Sequence, residues 1–460
     1  MFKNVDRRLL HQCWALAWPV SLQSILVAIL GMVDVMMVGH LGDVAVASVG
    51  LGSRAQFVLL ILLNSLAIGS SVLAAQLIGA RQPAKVRQMV VLMGAVSLVL
   101  ALPLVLAALV YAGVVVSWAS NDAAVIATGA RYLHITLPSI VPVCFILIFE
   151  GTLRGMGQVK LPLVFGVVAI ALNILLNYWL INGGLGVEPL GVAGAAWATN
   201  IARVFHLFLL AGFLWWVRHL CWPGRQALLR RYSGREWSRV YRLVVPMALN
   251  FGVWSAGAFV YHLIYGQLGT RALATISMLA PIEGAVLSAF VGLASACAVM
   301  VGQRLGANEF EQAFTYAKNF TLAAPVLGAV IGLLMVLGRD LILLPYGDLP
   351  AQTQAQAKSV LVIIAAGAWL KVISVMLSLG VLRAGGDNRY CLFTDLVGMW
   401  LVGLPAAWFA AAAGFALPWV VVASYAEDLA KVLLFGARAR GRRWMRNLVA
   451  DGPRAAGTPD

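Results

Sequence analysis

Charge is scarce in this chain. Only 11% of its 460 residues are Asp, Glu, Lys or Arg, 62% are hydrophobic, and the mean hydropathy is +0.89. A soluble globular domain carries about 25% charged residues, so a water-soluble fold is excluded. Alternation of apolar and polar residues is also missing. The apolar residues come in continuous runs, which excludes a β-barrel. Cysteine is limited to Cys13, Cys144, Cys221, Cys297 and Cys391, with no CxxC pair and no metal-ligand spacing, so free thiols and no metal site are expected. The Gly-containing stretch "LRGMGQ" at 153 has no GK[ST] after it, so it is no phosphate loop and no primary pump is indicated. Paired Asp-rich motifs are absent as well, which removes an intramembrane prenyltransferase. The start, "MFKNVDRRLL", has no signal-peptide cleavage pattern, and the first apolar run exceeds an h-region, so it reads as a retained helix.

What is present is a series of apolar runs, at about 14–38, 46–79, 88–115, 126–152, 161–181, 190–217, 240–266, 272–302, 317–344, 356–382, 390–412 and 415–437. Each is long enough to cross a bilayer as a helix. The expected fold class is therefore an all-α polytopic membrane protein with twelve transmembrane helices. The net charge of +15 does not indicate nucleic acid, because the basic residues sit in short connections and no soluble basic domain exists to hold one. With both termini cytoplasmic, 26 Lys and Arg residues fall on the inner side and only Arg131, Arg271, Arg339 and Lys358 on the outer. That asymmetry sets the topology. Arg54, Arg203 and Lys371 fall inside runs. The longest polar connection, 218–239, separates an N-lobe of six helices (1–217) from a C-lobe of six (240–437). The basic tail, 438–460, reads as a disordered cytoplasmic end that anchors the topology or touches anionic headgroups.

The two halves repeat. "GHLGDVAVAS" at 39 matches "GQLGTRALAT" at 266, an offset of 227 that also relates Gly79 to Gly306 and Pro19 to Pro246. "TLRGMGQ" at 152 matches "VLRAGGD" at 381, now with an offset of 229. Six helices per repeat is an even number, so both halves enter the membrane in the same sense, related by a pseudo-two-fold axis along the membrane normal. This architecture is characteristic of transporters.

With these features the chain resembles the multidrug and toxic compound extrusion (MATE) transporters over nearly its whole length. The resemblance is carried by Pro19 and Asp34 in helix 1, "GHLGDVAVASVGLG" entering helix 2, "QLIGARQ" leaving it, and "EGTLRGMGQVKLP" between helices 4 and 5. It implies a V-shaped central cavity between the lobes and export of cationic amphipathic compounds against inward H⁺ or Na⁺. Helix 7 lacks the acid of the NorM-like branch. Helix 5, "ALNILLNYWLI", is similar to the DinF-like branch, with Asn173 and Asn177 where that branch has Asn and Asp or two Asn. Asp34 is then the main titratable group of the N-lobe, and Pro19 matches the hinge of a helix 1 that bends on protonation.

The polar residues within the runs carry the site. An ionised Asp34 facing lipid would cost roughly 2–3 kcal/mol, so it faces the bundle interior or a wet cavity, unless it lies at headgroup level. Asn173 and Asn177 are i and i+4, on one face of helix 5. Thr199 lies at similar depth in helix 6. Asp34, Asn173, Asn177 and Thr199 thus form an expected cation-coupling cluster, the alternative being that the amides and hydroxyl only glue helices. The offsets take Asp34 to Tyr261, Asn173 to Val402 and Asn177 to Ala406, so the C-lobe is expected to lack the cluster. Glu283 and Lys371, at similar depth in helices 8 and 10, read as a neutralised structural pair or a second site. Arg54 either pairs with Asp34 or snorkels outward. Met32, Gln56, Tyr178 and Trp197 are named for a substrate cavity.

The expected function is a secondary antiporter of cationic drugs, with H⁺ preferred over Na⁺ as coupling ion and no cofactor. It is expected to work as a monomer in the bacterial inner membrane, with lipid and small-molecule substrates as its partners. A lipid-linked precursor flippase of the same superfamily is the rival. Those relatives tend to have cationic cavities and extra helices, against an anionic N-lobe site and twelve helices here.

Overall fold

A bilayer core offers no hydrogen-bond partner to a backbone N–H or C=O, so apolar runs of this length satisfy both by coiling into helix. The computed structural model describes residues 7–184, 186–344 and 350–450. Among these, twelve long helices follow in order: α1 Arg7–Met37, α2 Asp43–Gly79, α3 Ala84–Val110, α4 Ala123–Gly155, α5 Lys160–Asn182, α6 Val192–Trp216, α7 Gly234–Gln267, α8 Thr270–Gly306, α9 Phe310–Leu337, α10 Gln352–Gly385, α11 Asn388–Ala412 and α12 Leu417–Arg440. The first eleven are long and apolar enough to cross a membrane, whereas α12 carries Glu427, Asp428 and Lys431 close together. Local chemistry sets the ends. Asp122 caps α4, its carboxylate accepting from the Ala124 N–H at 2.8 Å and the Val125 N–H at 3.4 Å, which pairs donors that the first turn leaves free.

The repeat is visible in the backbone. α2 and α8 each span 37 residues, and both ends are 227 apart. Gly42 and Gly269, which precede them, take φ of +95° and +102°, where a Cβ is unfavourable. A packing contact repeats too. A Cβ on Gly151 of α4 would strike the Ala67 backbone of α2, and Gly380 of α10 lies against Ala294 of α8. Both partners sit at the repeat offsets. Small residues let the helices approach this closely.

The described residues divide into a first compact unit within 22–248 and a second made of 7–21 with 249–344 and 350–450. The division falls two residues past Pro19 in α1 and two past Pro246 in α7. Each proline lacks an N–H and leaves the carbonyl four residues earlier without a helical partner. Residues 7–21 thus belong with the second unit and 234–248 with the first, in contrast to lobes split at the central connection.

Two segments are more ordered than their composition suggests. Within the connection, Cys221 is fully buried, a short helix runs over Arg225–Leu229, and the Tyr232 hydroxyl donates to the Ala227 carbonyl at 2.6 Å. The composition of the tail predicts disorder, yet residues 441–450 are folded into the second unit. Trp444 is fully buried, and Asn447 donates to Gly306 O at 3.1 Å and to Asn308 Oδ1 at 2.8 Å. The burial of Trp444, Met445 and Val449 explains this correction. Residues 451–460 lie outside the described residues.

Candidate functional site

Asp34 stands one turn before the end of α1 and is half-buried. Its Oδ1 accepts from Asn177 Nδ2 at 2.6 Å, and the same nitrogen donates to Asn173 Oδ1 at 3.1 Å. Both asparagines are buried. The i, i+4 spacing puts them on one face of α5, and that face meets the carboxylate. A bond from an amide to an ionised acceptor is stronger than one between neutral groups, so this is the main polar tie between α1 and α5. Thr199 does not join it by hydrogen bond. Its hydroxyl donates to the Ala195 carbonyl of its own helix at 3.1 Å, the usual alternative for a helical threonine.

The cation that interacts with Asp34 through space is Arg203, not Arg54. Arg54 is exposed and has no partner among the described residues. Arg203 lies one turn beyond Thr199 on the same face of α6. Its guanidinium donates to Ser139 Oγ at 2.8 Å and to Gln56 Oε1 at 3.3 Å. Gln56, in turn, donates to the Thr136 carbonyl at 3.4 Å. Gln56 is therefore a buried tether of Arg203. In the sequence Arg203 reads as one more basic residue inside a run, although an arginine one turn from Thr199 was the available signal.

A second carboxylate of this unit also escapes a reading of the sequence. Glu150 of α4 is buried, accepts from Gln23 Nε2 at 2.9 Å, and lies 3.6 Å from His206 Nε2. Thr199, Arg203 and His206 follow at i, i+4 and i+7, so one stripe of α6 faces both acids. Met32, Tyr178 and Trp197 are exposed on the first unit.

The repeat positions of the cluster hold Tyr261, Val402 and Ala406, and the second unit builds a polar network from other residues. Arg383 donates to Asn250 Oδ1 at 2.6 Å, and Asn250 donates to Asp395 Oδ2 at 2.6 Å. Lys431 lies 2.7 Å from Asp395 Oδ1 and 2.6 Å from Glu427 Oε1, and Tyr261 donates to Glu427 Oε2 at 2.7 Å. The repeat-mate of Asp34 is thus a donor to a carboxylate instead of a carboxylate. α12 supplies Glu427 and Lys431, whose i, i+4 spacing signals a pair. α11 makes room for them: a Cβ on Gly398 would meet Lys431 Cγ at 2.7 Å, and one on Gly403 would meet Glu427 Cβ at 2.6 Å. Glu283 and Lys371 form a direct ion pair, with Lys371 also 5.2 Å from the Tyr425 ring centre. The pocket beside that pair has a free volume of about 10 Å³, room for a single water at most.

Known proteins share this architecture. A family model described as MatE matches residues 19–179 and 246–409. The chain is 23% identical over 450 residues to the uncharacterized transporter YisQ of Bacillus subtilis, covering 95% of each. It is 27% identical over 416 residues to the multidrug resistance protein MdtK of Klebsiella pneumoniae, covering 89% of each. A crystal structure of a MATE protein in complex with MaL6 superposes with a TM-score of 0.85 at 19% identity, over 94% of this chain and 96% of that one.

Proposed function

Because the chain belongs to the MatE family, and so is a multi-pass membrane transporter and not an enzyme, we propose that it exports cationic amphipathic drugs in exchange for protons. The relatives named for multidrug resistance support the substrate class. The tie between Asp34 and Asn177 carries the mechanism. No residue from 22 to 37 in α1 is fully buried, and this half-helix is held to the first unit by Gln23 on Glu150 near one end and by Asp34 on Asn177 near the other. A proton on Asp34 turns a charge-assisted bond into a neutral one and takes away the counter-charge of Arg203. α1 then loosens beyond Pro19, and a cationic substrate loses the charge that attracts it. One carboxylate that serves either a proton or a cation, in two arrangements of one helix, is sufficient for exchange. The exporter works in the bacterial inner membrane, with both termini in the cytoplasm.

Sodium is the second reading. It draws on Asn177 Oδ1, which is buried beside the carboxylate and accepts no hydrogen bond among the described residues, and Na⁺ takes oxygen ligands. Proteoliposomes under separately imposed pH and Na⁺ gradients, with efflux of a fluorescent cation as readout, distinguish the two. The proton reading expects transport on the pH gradient alone and its loss in Asp34→Asn. Full pH-driven transport by Asp34→Asn overturns it.

A further inference from the structure

The first unit contains a cavity of about 450 Å³ lined by Arg87, Trp215, Trp216, Arg218, Trp222 and Gly224. It lies where α3 begins and α6 ends, on the face that also carries the basic connections 81–87 and 218–231. From this cavity we infer a binding site for the phosphate of an anionic phospholipid headgroup.

Charge is the first reason. Two guanidiniums line the cavity and no acid does, and neither arginine has a carboxylate partner among the described residues. The Arg87 Nη2 donates to the Arg218 carbonyl at 3.5 Å, while its Nε is shielded from water and has no partner among the described residues. A buried N–H left open costs free energy, so this guanidinium is not held in place by its present contacts. Guanidinium forks suit phosphate better than any other side chain. His219 adds no charge, since burial and the neighbouring Arg87 hold it below its ordinary pKa.

The walls point to a lipid as the source of the phosphate. Trp215 and Trp216 end α6 and are 63% and 76% exposed. Tryptophan at the end of a membrane-spanning helix sits at headgroup level, with an apolar ring and a donor N–H. Arg218 lies in a helix-ending turn. It follows α6 with φ +49°, and the His219 N–H returns to the Leu214 carbonyl at 2.9 Å. A helix-ending turn of this kind normally takes glycine. Arg81 and Arg442 take the same conformation, at φ +56° and +54°, so the turn positions the Arg218 guanidinium and the charge carries the argument.

That turn makes a clean test, because Arg218→Gly removes the charge and suits its backbone. Purified full-length protein in neutral detergent is titrated with phosphatidylglycerol or phosphatidylcholine, and bound lipid is counted by native mass spectrometry. Phosphatidylglycerol is expected to bind in preference, with affinity falling about fivefold for each guanidinium removed in Arg218→Gly and Arg87→Gln. Arg218→Gly should melt no lower than the parent protein, and Arg131→Ala should bind normally. Equal affinity of Arg218→Gly and the parent, or equal binding of phosphatidylcholine, overturns the inference. Displacement by millimolar inorganic phosphate would show a site for the bare anion and overturn the lipid assignment.

Discussion

Asn177 Nδ2 lies 2.6 Å from the Asp34 carboxylate and 3.1 Å from the Asn173 amide oxygen. One nitrogen thus serves both acceptors, and it joins the only acidic residue of α1 to two residues of α5 that are one turn apart. Any change of charge on Asp34 acts directly on one of the polar contacts that hold the loosely packed half of α1.

Arg203 should be the structurally essential arginine of this region. Arg203→Met leaves Asp34 without its cation and Gln56 and Ser139 without a donor, and polar groups left unsatisfied in this way cost about 1–3 kcal/mol. Thermal unfolding in detergent should show a large drop, and Asp34→Asn in the same chain should recover part of it. Arg54→Ala should stay within about 0.5 kcal/mol of the parent, as an unpartnered exposed residue does. A large effect of Arg54→Ala would reverse the assignment.

Lys431 is placed between Asp395 and Glu427. Lys431→Met should destabilise the second unit by about 3–5 kcal/mol, because two carboxylates lose their cation. Adding Glu427→Gln and Asp395→Asn should restore much of the loss, since neutral amides need no counter-charge. Melting temperatures of the single and triple variants check this.

Gly151 is a packing requirement. An alanine there meets the Ala67 backbone of α2, and overpacking of this kind costs about 1–3 kcal/mol. Gly50, also in a helix, has nothing within 4 Å of its would-be Cβ. Gly50→Ala should therefore raise stability by up to about 1 kcal/mol through helix propensity. The opposite signs of the two shifts in melting temperature are the check.

Cys221 reports on the folded connection. Burial pushes its thiol up to about 12, so at about pH 8 it is protonated, and the thiolate is the reactive form. Maleimide should not label Cys221 in the native protein at that pH, and should label it after denaturation. Rapid native labelling, read by peptide mapping, would show that the connection does not fold over this cysteine.

Much of the architecture was legible in the residues. Continuous apolar runs dictate helices because lipid gives the backbone no other partner. The offset of 227 was written in "GHLG" and "GQLG", and it reappears in the equal lengths of α2 and α8 and in the paired glycines Gly42 and Gly269. Asn173 and Asn177 could be placed on one face because helix geometry allows no alternative at that spacing. The buried tail escaped notice because Arg440, Arg442 and Arg443 beside Trp444 read as a solvated run. The few apolar side chains among them, Trp444, Met445 and Val449, are enough to anchor it.

What the tertiary structure alone decided is which faces meet. A helix in lipid is apolar all round, so its sequence carries no amphipathic stripe to fix its rotation. Depth could be counted along each run, and that was enough to bring Asp34 level with α5. Rotation could not be counted. It is rotation that turns Arg203 toward Asp34, leaves Arg54 outside and directs the Thr199 hydroxyl to its own helix. Rotation also gathers Asn250, Asp395, Glu427 and Lys431 into a network that no repeat offset predicts.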